Sequence, residues 1–212
     1  MNNIKFSKSV STMMVLSAVV FATFISVSAQ RYSIKKADGY LFVQNGKDVS
    51  FTCEVKGSDV KPVEAGENPT FSSNGSLIQL LLIVSKSYDP TGKVEESKLL
   101  ELHRDWELDY LTGVFGTKLA SETQMISAGD RPVLFWQFKR PKYVTEYDRD
   151  IYLTTLIGRD VFGLSSPGSI GVDSKIYRDR HIEIMKTLKV SKTQFDIKKL
   201  SDEIRKGVGP LS

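Results

Sequence analysis

From Leu77 to Val84 the chain is apolar at every position except Gln79. A strand with one face in water alternates apolar and polar residues, so this run demands cover on both faces. Val133 to Phe138 makes the same demand: Leu134, Trp136 and Phe138 point one way while Val133 and Phe135 point the other. A sheet with two apolar faces needs helices above and below it. The strands around it are joined by tight turns, Ala128-Gly129-Asp130 and Gly158-Arg159, so they pair antiparallel. The expected class is α+β, a twisted antiparallel sheet sandwiched between helices in α/β/α layers.

The elements follow from local pattern. Residues 30–38 are polar and read as loose. Tyr40 to Val43 and Val49 to Val55 read as a hairpin around Asn45-Gly46, a strong short-range turn signal. Gly57 to Ser73 carries Pro62, Gly66 and Pro69 and reads as a long loop. The turn Asp89-Pro90-Thr91-Gly92 leads into a helix expected over Val94 to Thr112, with Leu99, Leu102, Trp106 and Tyr110 as its apolar stripe. Strands are expected at Lys118 to Ser127, Val133 to Lys139, Asp150 to Ile157 and Asp160 to Leu164. A loop is expected at Ser165 to Gly171, then helices from Asp173 to Leu188 and around Phe195, Ile197, Leu200 and Ile204.

The first 29 residues have the organisation of a signal peptide. Lys5 and Lys8 precede an apolar stretch from Met13 to Val27, and Val27-Ser28-Ala29 supplies small residues for cleavage after Ala29. The alternative is an uncleaved anchor, against which the stretch falls short of the roughly 20 residues a spanning helix needs. Residues 30–212 then form a single domain in the periplasm or the extracellular medium, with no stable membrane insertion after cleavage. Loss of the two lysines lowers the formal charge from +4 to +2. So small a charge gives no general attraction to nucleic acid. A basic tendency in the last 41 residues, ten Lys or Arg against six Asp or Glu, reads as solvated helix surface.

Cys53 is the sole cysteine, which excludes an internal disulfide and, 24 residues beyond Ala29, excludes the lipidated cysteine of a lipoprotein. It alternates with Thr52 and Glu54 beside Phe51 and Val55, as a small apolar filler on the inward face of a strand.

Three stretches carry the likeness to a known family. They are Arg131-Pro132-Val133-Leu134-Phe135-Trp136-Gln137-Phe138, then Ile151-Tyr152-Leu153-Thr154-Thr155-Leu156, then Ile176 to Val190 with Met185-Lys186-Thr187-Leu188-Lys189. Over residues 75–190 the chain resembles the PsbP/DcrB-like superfamily, and the resemblance implies an antiparallel sheet between helices. It also implies action through contacts with other proteins, and brings no catalytic residue with it. The lipidated cysteine of DcrB-type envelope proteins is missing, so membrane tethering is not implied.

Motifs that imitate chemistry fail in detail. His103-Arg104-Asp105 copies a kinase catalytic loop, but Tyr110 stands where Asn is required. Gly163-Leu164-Ser165-Ser166-Pro167 approaches a nucleophile elbow with Pro167 in place of its second glycine. Gly163 to Ser169 has Walker-like glycines with Ser169 at the lysine position. His103 and Glu107 share one side of a helix, which reads as an ordinary hydrogen-bonded surface pair, and His181 as a structural histidine. Glu95, Glu96, Glu101, Asp105, Glu107 and Asp109 read as a solvated acidic face. No catalytic, cofactor-binding or metal-ligating residue is assigned, and no cofactor. The expectation is a non-catalytic exported protein that binds another macromolecule, a protein of unknown identity. The alternatives are a hydrolase using carboxylates or Ser165, and a small-ligand carrier.

Overall fold

The fold is that of a computed structural model, which describes residues 29–64, 67–144 and 146–207. The candidate signal peptide lies almost wholly outside the described residues.

The strands divide between two antiparallel sheets. The smaller contains β1 (Gln30–Lys36), β2 (Gly39–Asn45), β3 (Ser50–Lys56) and β11 (Lys189–Ser191), in the order β1-β2-β3-β11. The larger contains β4 (Lys61–Val63), β5 (Thr70–Ser73), β6 (Ser76–Ile83), β7 (Ser121–Ala128), β8 (Arg131–Lys139), β9 (Tyr147–Ile157) and β10 (Asp160–Ser169). Its order is β4-β5-β6-β10-β9-β8-β7. Three α-helices complete the described chain: α1 (Leu99–Phe115), α2 (Ser174–Lys186) and α3 (Ile197–Arg205).

The α+β class is therefore observed, with antiparallel pairing throughout both sheets. The predicted single sheet is instead two: among the described residues β1, β2 and β3 pair with one another and with β11, through Val190 and Phe51, and with no strand of the larger sheet. Residues 30–36, expected to be loose, form an edge strand on β2. The stretch expected as one long loop contains β4 and β5.

Each face of the larger sheet has its own core. Val133 and Phe135 join Ile151, Leu153, Phe162, Leu164, Ile78 and Leu80 with Phe51 and Cys53 of β3 and Tyr177, Ile184 and Met185 of α2. Leu134, Trp136 and Phe138 join Tyr152, Val161, Leu81 and Ile83 with Leu99 and Leu100 of α1. The division of residues in β8 is the one its alternation predicts. A third cluster seats α3 on β2 through Leu200, Leu41 and Val43. Trp136 is fully buried and stacks on Tyr152, with ring centroids 3.9 Å apart and planes 4° from parallel.

Local chemistry sets the helix ends. Gly116 terminates α1 in the left-handed region at φ 62, where a side chain would be strained. Asp173 caps α2 by accepting from Lys175 N, and Asp196 caps α3 by accepting from Lys199 N. The start of α1 falls at Leu99 rather than Val94, since Glu96–Lys98 just before it form a 3-10 turn. Asp89 holds the residues before that turn: its carboxylate accepts from Gly92 N, Val94 N and Arg159 Nη2, the last at 2.7 Å.

The serine-rich segment is strand and not loop as far as Ser169. β10 pairs with both β6 and β9 up to Ser165, and beyond it with β9 alone. Pro167 thus falls where one edge is already free, so its missing N–H costs no ladder bond there.

Candidate functional site

Three groups of polar side chains stand apart from ordinary surface. Two are buried, on opposite faces of the larger sheet, and the third is an open groove.

On the α2 face, Ser166 Oγ lies 2.8 Å from His181 Nε2. The pair has the chemical makings of a nucleophile and a base, yet Ser166 is 2% exposed and His181 0%. His181 Nδ1 has no partner among the described residues, so no acid orients the ring. Burial and the neighbouring Arg180 cation push the imidazole pKa down to about 3, keeping it neutral. The expectation of a structural histidine fits, and Ser165, the hydrolase candidate, sits on the other face beside Gln79.

On the α1 face, His103 and Glu107 do share one side of the helix, but that side is buried. His103 is 1% exposed and Glu107 4%, which corrects the surface reading. His103 packs edge-on to the Tyr88 ring at 5.5 Å, and neither ring nitrogen has a partner among the described residues. Burial lowers its pKa to about 3. Burial first, and then the nearby Asp150 charge, raise Glu107 to about 8, so it is protonated at neutral pH. Asp150 itself receives two bonds from Arg140, at 2.7 and 2.6 Å, which counter only part of the burial that raises its pKa. The other acids of that helix, Glu101, Asp105 and Asp109, are exposed as expected. Among the described residues no group of three or more His, Cys, Asp and Glu side chains is placed to hold a metal ion.

The groove, of about 580 Å³, opens between the ends of β7, β8 and β9 and residues 117–120, which follow α1. Its lining includes Lys118, Glu122, Gln137, Lys139, Lys142 and Arg149. Glu122 and Gln137 are cross-strand partners joined by a 2.6 Å hydrogen bond. Lys139 and Arg149 are also cross-strand partners, directly opposite each other. Like charges in that relation repel and cost stability. Asp148 relieves this in part, binding Arg149 at 2.9 and 3.0 Å and held below the usual carboxylate range chiefly by that bond. Asp148 also acts electrostatically on Lys139, and Glu122 and Asp173 on Arg149, while Lys118 and Lys142 form no ion pair among the described residues. The groove is a fixed concentration of positive charge on a rigid sheet, suited to holding carboxylates or another anion. Sequence reading missed it, because its cations, Lys118, then Lys139 with Lys142, then Arg149, come from three stretches of chain. The signal available beforehand was Lys139 and Arg149, equally spaced from the turn between β8 and β9.

No family model matches the chain, and no curated protein matches it. Among solved structures it is similar to the solution structure of cyanobacterial PsbP (CyanoP) from Synechocystis sp. PCC 6803. That likeness has 9% identity and a TM-score of 0.39, over 81% of this chain and 99% of the other. At that score the likeness carries no argument about family or activity, and no relation to DcrB is shown. Among the described residues no helix is long and apolar enough to cross a membrane.

Proposed function

We propose that the chain is an exported, non-catalytic protein that binds another protein by seating an acidic segment in the groove of Lys118, Lys139, Lys142 and Arg149. The observation that carries this reading is Lys139 set against Arg149 in the sheet register. A sequence under selection for stability alone would place opposite charges there. A site that waits for an anion needs the repulsion, which the partner's carboxylates relieve. Export rests on the signal-like residues 1–29, and places the protein in the periplasm or the extracellular medium. The proposal includes a PsbP-type layering, in which helices flank the sheet that carries the groove. Neither buried polar pair supports a hydrolase, since both are closed to solvent.

Hexaglutamate is the probe. It is expected to bind the purified protein in a salt-sensitive way and to lose about tenfold in affinity with Lys139→Glu. The same substitution converts a repulsive cross-strand pair into an attractive one, so the fold should gain roughly 0.5 kcal/mol. A variant that is more stable and binds less well separates function from structure. Equal binding of hexaglutamate by Lys139→Glu, measured by calorimetry, would overturn the proposal.

A further inference from the structure

Every sheet edge that lacks a neighbour offers unpaired backbone donors and acceptors, and natural proteins blunt such edges with charges, proline or shortness. Among the described residues, three of the four sheet edges are blunted. β1 carries Arg31, Lys35 and Lys36. β4 is three residues long, with Lys61 and Pro62, and β11 is three residues long with Lys189.

β7 is different. It ends the larger sheet and runs for eight residues, Ser-Glu-Thr-Gln-Met-Ile-Ser-Ala, without Lys, Arg, Pro or Gly. Its register with β8 continues unbroken from Ser121↔Phe138 to Ala128↔Arg131, so no bulge turns the edge away. Met125 is 53% exposed on it, an apolar contact left open. The end of this strand at Ser121 and Glu122 forms part of the basic groove.

We propose that β7 is a docking edge, to which an extended segment of the partner protein adds as a further strand, with carboxylates on the portion that lies over the groove. The inference rests on the binding reading above and names the mode. Backbone hydrogen bonds along β7 supply affinity, and Lys118, Lys139, Lys142 and Arg149 select acidic side chains. The charge of the groove argues for an acidic partner segment.

The probe is a fluorescent peptide of about ten residues, long enough to match the strand, with alternating Val and Thr and three Glu at one end. Two further versions carry N-methyl groups on alternate amides, in one register or the other. Only one register of an added strand points its N–H groups at β7. One N-methylated version should therefore lose about tenfold or more in affinity while the other binds like the parent. Added peptide should also slow hydrogen exchange at β7 amides and not at β1. If both N-methylated versions bind like the parent while Lys139→Glu still weakens binding, strand addition is overturned and the groove reading stands. If Lys139→Glu has no effect on the parent peptide, the groove reading falls. Absence of peptide binding, or a dimer whose β7 amides are already protected, overturns the docking edge.

Discussion

Glu107 holds a proton that an ordinary glutamate loses, and this ties stability to pH. Its native pKa is raised to about 8 from an unperturbed 4.5, so between those values the unfolded chain binds fewer protons than the native one. Stability from this group falls as pH rises. His103 and His181, both lowered to about 3 from 6.5, act at the other end: the unfolded chain takes up protons below 6.5 that the native one refuses. Their contribution falls as pH drops. Between pH 6.5 and 8, Glu107 is the one of the three that titrates. Replacing Glu107 with Gln should abolish a loss of about 2 kcal/mol across that window, read from urea midpoints at several pH values. A midpoint falling equally in both proteins would refute the assignment. Ser166 has a simpler role. Ser166→Ala strands His181 Nε2 in the core and should cost roughly 1–3 kcal/mol, whereas Ser165→Ala should cost under about 0.5 kcal/mol. The same denaturation curves check both. The spacing of His103 and Glu107 is visible in sequence, but their burial is not. The stripe of Leu99, Leu102 and Trp106 does meet the core, but the buried side of the helix runs further round to His103 and Glu107, which the pattern counts as polar.

Elements succeed or fail on long-range partners. β8 is legible from its residues alone, as each side chain's direction follows from alternation and both faces are filled. β10 is not legible past Leu164, because serines, proline and glycine read as a loop until β9 is placed beside them. Asn45 shows the same limit at a turn. It belongs to the hairpin signal Asn-Gly, yet its side chain reaches 150 residues along the chain, giving Nδ2 to Phe195 O at 2.9 Å and accepting from Phe195 N at 2.8 Å. These two bonds fasten the lead into α3, which otherwise meets the smaller sheet through Leu200 and a few half-buried neighbours. Asn45→Ala is expected to release that helix by roughly 1–3 kcal/mol, leaving α1 unaffected. Faster hydrogen exchange confined to Ile197–Arg205 is the predicted readout, and uniform acceleration across the protein would contradict it.

For the molecule as a whole, two-sided apolar strands compel an α+β fold with helices close by, and that much is a matter of composition along each strand. Cys53 likewise declares itself: it is fully buried, and burial drives its thiol pKa far up, away from reactivity. Alternation, turn chemistry and capping act within a few residues, so the chain carries them openly. How the strands divide into two sheets, and how far round α1 the buried side extends, depend on packing between segments far apart in sequence. Lys139 meets Arg149 across a single hairpin, but the groove they line also needs Lys118 and the start of β7, which another stretch of chain brings beside β8.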